Sequence, residues 1–178
     1  VKGNEIKNNK GAGFGFWDTL YNELIFEDNV IENNEGSGVY LSQIYGNVLI
    51  QDNVIKNNHD SGRYVAKKDN AEWSTKIVIK NNVVSENKQG NETRDDNGIT
   101  LSYRSSAAAQ ITGNTVENGG GYGIKVHNDN TLTGAQIEGN TVKGNAKAGL
   151  RVSGRLLPVV KGNTFDGNGN GLELIYTD

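Results

Sequence analysis

Cysteine and methionine are absent from the 178 residues, and proline occurs once. Without cysteine there is no disulfide framework and no thiolate metal site. Hydrophobic residues make up 34% and aromatic residues 7%. No stretch approaches the roughly 18 consecutive apolar residues of a membrane span. The formal net charge is −3 and no basic block occurs, which speaks against a general nucleic-acid binder. The opening Val1-Lys2-Gly3-Asn4 does not read as a secretory leader.

What the chain has in quantity is Asn and Gly, and both recur with a period. Seven phrases are led by Asn4, Asn29, Asn53, Asn82, Asn114, Asn140 and Asn163. The clearest copies are Asn29-Val30-Ile31-Glu32-Asn33-Asn34 and Asn53-Val54-Ile55-Lys56-Asn57-Asn58, and the spacings are 25, 24, 29, 32, 26 and 23 residues. A Gly-led apolar alternation follows, as in Gly38-Val39-Tyr40-Leu41, Gly98-Ile99-Thr100-Leu101 and Gly149-Leu150-Arg151-Val152. A third short apolar piece, such as Val48-Leu49-Ile50 or Ile77-Val78-Ile79, precedes the next Asn.

Each repeat therefore predicts three short strands separated by Asn and Gly turns. Strands this short bury nothing alone, but stacked copies pair in parallel and share a narrow apolar interior. The expected fold is all-β: a right-handed parallel β-helix of about seven coils, about 4.8 Å per coil. Asn and Gly suit the left-handed turns between strands. Stacked asparagines can also bond amide to amide in a ladder. Residues 1–178 read as a single domain. No capping helix is visible at either end, so the expectation is a segment of a longer chain.

Alternate residues of the Gly-led strands point outward and stack into columns. Coil by coil the expected outer face is Gly15 and Trp17; Tyr40 and Ser42; Tyr64, Ala66 and Lys68; Thr100, Ser102 and Arg104; Lys125, His127 and Asp129; Arg151, Ser153 and Arg155; Glu173 and Ile175. Trp17, Tyr40 and Tyr64 form an aromatic stripe, and Arg104, Lys125, His127, Arg151 and Arg155 a cationic one. Such a face suits an anionic sugar polymer, with rings on the sugar faces and cations on the carboxylates. The same residues also read as an ordinary solvated sheet surface. The third coil departs from the pattern, because Arg63 falls where neighbours place an inward apolar residue. Either the register shifts by one, sending Tyr64 inward and Arg63 outward, or the strand bulges.

The phrase Asn-x-Ile-x-x-Asn followed by Gly-Ile-x-Leu resembles the right-handed parallel β-helix repeat of the pectate-lyase-like superfamily. Its coils are similar to those of alginate lyases, mannuronan epimerases and some phage tailspikes. The resemblance implies a substrate groove on the outer face of the Gly-led sheet. Uronate lyases and epimerases need a cation on the carboxylate, a base for the adjacent proton and an acid opposite. Here Arg151 or Arg104 is the candidate neutraliser, Lys125 or His127 the base with flanking cations favouring a neutral lysine, and Tyr64 the acid. Trp17, Tyr40, Arg155 and Lys68 are the candidate substrate contacts. His59, beside Asp60, reads as a solvated turn residue.

The Asp-Pro-His-Glu stretch of the epimerases is absent, as is the Gly-His-Gly of the pectin hydrolases. No cofactor is called for. Glu92, Asp95 and Asp96 could hold Ca²⁺, set against their reading as a solvated acidic loop. Three functions stay open: a polysaccharide lyase or epimerase, a non-catalytic carbohydrate-binding module, and a structural spacer of a surface or phage-tail protein. The composition leans toward an extracellular or cell-surface address.

Overall fold

The computed structural model describes residues 1–59, 62–65, 76–87, 98–103, 108–128, 134–155 and 158–176; of 62–65 and 103, only the backbone is described. Its twenty strands form three parallel sheets. The first sheet holds the Asn-led strands, from Glu5–Lys7 through Val30–Glu32, Val54–Lys56, Val83–Ser85, Thr115–Glu117 and Thr141–Lys143 to Thr164–Asp166. The second holds the Gly-led strands Phe14–Phe16, Val39–Leu41, Gly62–Val65, Ile99–Tyr103, Ile124–Asn128, Ala148–Gly154 and Asn170–Tyr176. The third runs from Leu24–Glu27 to Val159–Lys161 and has six strands. The chain thus winds through six three-stranded turns and a final two-stranded one. Every strand pairs with its copy one turn away, as in Val54↔Val83↔Thr115. No helix occurs among the described residues, and none long and apolar enough to cross a membrane.

The interior is as narrow as the short alternations require. Ile31, Ile55, Val84, Val116 and Val142 stack inward from the first sheet, Leu41, Leu101, Val126 and Val152 from the second, and Ile50, Ile79, Ile111 and Ile137 from the third. The leading glycines of the second sheet are fixed by space rather than by φ. A Cβ on Gly123 would lie 2.3 Å from Val142 Cγ1 and 2.7 Å from the Gly149 carbonyl oxygen, and Gly13, Gly38 and Gly98 meet the same kind of obstacle.

The repeated asparagines divide into two jobs. The leading residue is buried in the five inner phrases, at Asn29, Asn53, Asn82, Asn114 and Asn140, while at the ends Asn4 is exposed and Asn163 half-buried. Its Oδ1 accepts from the backbone N–H and the Nδ2 of the preceding asparagine, and its own Nδ2 donates to the next. Asn82 Nδ2 to Asn114 Oδ1 is 3.0 Å, and Asn114 Nδ2 to Asn140 Oδ1 is 2.9 Å. Spare donors go to carbonyls, Asn114 Nδ2 reaching Ile79 O at 3.0 Å. The last residue of the phrase builds a second ladder through Asn9, Asn34, Asn58 and Asn87. It breaks where Gly119 stands in the column and resumes from Asn145 to Asn168.

The left-handed turns belong to other residues. One column is Asn8, Asn33, Asn57, Glu86, Asn118, Gly144 and Gly167; the other is Gly3, Asp28, Asp52, Asn81, Gly113, Gly139 and Gly162, all with φ between 50° and 67°. So in Asn57-Asn58 the first asparagine supplies a backbone conformation and the second an amide.

Two stability measurements follow by urea denaturation. Asn58→Ala strands the N–H and Nδ2 donors of Asn34 in the interior and should cost about 3–5 kcal/mol, whereas Asn57→Gly keeps the left-handed turn and should change stability by less than about 1 kcal/mol; equal costs at the two sites would refute the division. Gly123→Ala should cost about 3 kcal/mol through overpacking, and a neutral result would show that the neighbouring coil yields.

Candidate functional site on the outer face of the second sheet

Pairing in the second sheet sets the outward columns. One runs Gly15, Tyr40, Arg63, Thr100, Lys125, Arg151 and Glu173. Beside it run Val65, Ser102, His127, Ser153 and Ile175. The expected face is therefore present, with one correction in the third coil. Arg63 pairs with Tyr40 and Thr100, while Tyr64 pairs with Leu41 and Leu101, both of which are buried. Of the two arrangements the sequence left open, the register shift is the one adopted. In that register Tyr64 falls in line with Leu41 and Leu101 and not with Tyr40 and Thr100. An arginine in the narrow apolar interior would lack partners, which is a physical reason for the register to shift in this coil. Arg104 and Lys68 lie outside the described residues, as do Glu92, Asp95 and Asp96.

Trp17 follows the strand Phe14–Phe16 and folds back over Gly15, whose absent side chain leaves it room. Its ring stacks on Tyr40 with centroids 4.3 Å apart and planes at 28°. The two rings thus use one face on each other, and Trp17 stays 70% exposed. Lys125 lies three strands farther along the column, about 14 Å away at the usual strand spacing.

The cationic part of the face centres on a residue that the strand pattern did not single out. Tyr122 precedes Gly123, at a place occupied by Ala12, Ser37, Ala148 and Asn170 in other coils. Comparing that column was the signal available in the sequence. The Tyr122 ring has Arg151 Cζ at 5.2 Å, Lys147 Nζ at 5.2 Å and Lys125 Nζ at 5.7 Å from its centroid. Three cations on one ring gain cation–π attraction that offsets part of their mutual repulsion. Arg151 Nη1 donates to Tyr122 Oη at 2.8 Å and to Glu173 Oε2 at 3.1 Å. Its Nε and Nη2 make no hydrogen bond among the described residues. The fork is thereby held on one side and open on the other.

The first sheet gives the contrast. Its outward column reads Lys7, Glu32, Lys56, Ser85, Glu117, Lys143 and Asp166. There the charges alternate in sign and close ion pairs, Lys143–Glu117 at 3.0 Å and Lys56–Glu32 at 3.5 Å. The second sheet sets Lys125 directly beside Arg151 in register. Like charges facing across strands repel, and this juxtaposition does not occur in the first sheet's column.

His127 Nδ1 lies 2.9 Å from Ser153 Oγ, on the neighbouring strand. His127 and Ser153 are half-buried, whereas His59 is exposed in a turn. Arg155 follows the end of its strand, exposed, with its N–H on the Asn128 carbonyl at 2.9 Å. Among the described residues no group of three His, Cys, Asp or Glu could hold a metal ion.

The family described as "Right handed beta helix region" matches residues 1–134, and the chain belongs to that family. No curated protein and no solved structure matches it.

The ring geometry can be checked in solution. The ε-methylene protons of Lys125 and Lys147 should be shifted upfield by the Tyr122 ring current, and Tyr122→Leu should return them to ordinary lysine positions. Unshifted resonances in the unmodified protein would mean that the cations do not gather on the ring.

Proposed function

We propose that the chain binds an acidic, uronate-rich polysaccharide along the outer face of the second sheet. A β-helix of this family is compatible with carbohydrate binding or modification. The observation that carries the reading is the adjacency of Lys125 and Arg151, gathered with Lys147 on Tyr122, with the free edge of the Arg151 guanidinium turned to no protein partner among the described residues. A ligand carboxylate on that edge gains a bidentate, charge-assisted pair and relieves the like-charge repulsion. Arg63 and Thr100 continue the column toward Tyr40, and the exposed face of Trp17 offers a surface for a sugar ring. Such a polymer places the protein outside the cell or at its surface.

A second reading adds chemistry to the same site. It is supported by the Tyr122 phenol standing 2.8 Å from Arg151 with Lys125 over its ring. Arg151 would neutralise the uronate carboxylate. Lys125 would take the proton from the carbon beside it, with His127 the other candidate base. As the carbon–carbon double bond forms and the glycosidic carbon–oxygen bond breaks, the Tyr122 hydroxyl would protonate the leaving oxygen. Return of a proton to the opposite face instead would give an epimerase.

Calorimetric titration with alginate and with pectate tests the binding. The unmodified protein should bind at least one of them, more weakly as salt rises. Arg151→Ala should weaken binding about tenfold or more. Absence of binding to both polymers would leave a structural spacer. Ultraviolet absorbance of unsaturated ends tests the lyase chemistry. If that signal appears, Lys125→Ala and Tyr122→Phe should abolish it; binding without any signal, and without epimerised product by NMR, reduces the function to binding.

A further inference from the structure

Glu173 is the only carboxylate in the two outward columns of the second sheet among the described residues. It stands directly beside Arg151 in the register. Its two oxygens are separately engaged: Oε2 accepts from Arg151 Nη1 at 3.1 Å, and Oε1 accepts from Asn170 Nδ2 at 3.0 Å. The side chains of Arg151 and Glu173 are 30% and 27% exposed. Ion pairs that solvent still reaches contribute little to stability, so its main consequence lies in the charge it brings to the site.

We propose that Glu173 is a specificity-determining residue of the anion site, a built-in carboxylate that lowers the affinity of Arg151 for anionic ligands. This rests on the binding reading given above. A ligand carboxylate reaching the open Nε–Nη2 edge of Arg151 approaches a guanidinium whose Nη1 is already paired to an anion. It meets an attractive charge that Glu173 partly cancels and a like charge on the far side of the same fork. Lys125 and Lys147 then carry more of the attraction, and they lie on the Tyr122 side. Only a ligand that engages these lysines together with Arg151 gains the full attraction, which favours a polymer lying along the column over a single small anion.

Glu173→Gln separates charge from geometry. The glutamine carbonyl can still accept from Arg151 and keep the fork oriented, while the negative charge is gone. Polyuronate binding by calorimetry should tighten about three- to tenfold in low salt, from removal of one nearby like charge. The gain should shrink toward unity at high salt. Galacturonate monomer should gain by a larger factor, narrowing the preference for polymer. The gain should vanish when Glu173→Gln is combined with Arg151→Ala, because the effect acts through that guanidinium. Circular dichroism and the urea midpoint should match those of the unmodified protein.

If the unmodified protein binds polyuronate and Glu173→Gln binds it equally or more weakly with the fold intact, the proposal is wrong while the binding reading stands. A gain that persists without Arg151 would also overturn it. If neither protein binds any uronate, both this proposal and the binding reading fall together.

Discussion

The buried asparagine ladder is the constraint on which the rest of this molecule depends. A primary amide placed in an apolar interior is costly unless its donors and acceptor are met. Here they are met almost entirely by the equivalent amide one turn above and one turn below. Asn53, for instance, accepts from Asn29 and donates to Asn82, and its remaining donor finds the Phe26 and Gln51 carbonyls. No local interaction can substitute, because each partner lies 23 to 32 residues away in the chain. The ladder is satisfied only when the coils stack in one register, and a slip by a single residue would strand every amide at once. Apolar packing alone would be less discriminating, since Val, Ile and Leu can exchange places along a narrow interior at modest cost.

Register on the inside dictates chemistry on the outside. Once the coils are aligned, every outward residue has a fixed neighbour at the strand spacing, and charge can be arranged either to cancel or to accumulate. The first sheet cancels: Glu32 meets Lys56 and Glu117 meets Lys143. The second does both: Arg151 meets Glu173, while Lys125 stands beside Arg151 and Tyr122 draws Lys147 to them. Two faces of one small solenoid, built on the same backbone repeat, therefore carry different electrostatic designs. Position along the column also separates side-chain types, with the Trp17–Tyr40 stack in the first two coils and the adjacent Lys125 and Arg151 in the fifth and sixth.

Insertions interrupt this regularity without destroying it. The two long spacings, 29 and 32 residues, follow Asn53 and Asn82, yet the first asparagine ladder passes through both. The second ladder does break, at Gly119, in the coil after the longer spacing. The third coil also holds Arg63, where the strand shifts by one so that the guanidinium position aligns with Tyr40 and Thr100 rather than with Leu41 and Leu101. In that coil the pairing departs from the simple alternation counted from its leading glycine.

The sequence by itself determined the fold class, the three-strand repeat and most of the outward column, because period-2 alternation and a recurring Asn phrase leave few other ways to bury so little apolar surface. Thr100, Lys125, Arg151 and Glu173 were readable as one column for that reason. Tertiary structure alone decided which asparagine of each pair turns the chain and which enters the ladder, since the two are identical in type and differ only in backbone conformation. It decided that Gly-led strands begin with glycine for lack of room against the next coil, a contact between residues such as Gly123 and Val142 that no local pattern reveals. And it decided that Tyr122 organises the cations, because a side chain's reach across two neighbouring strands depends on where the strands lie, not on the order in which the chain supplies them.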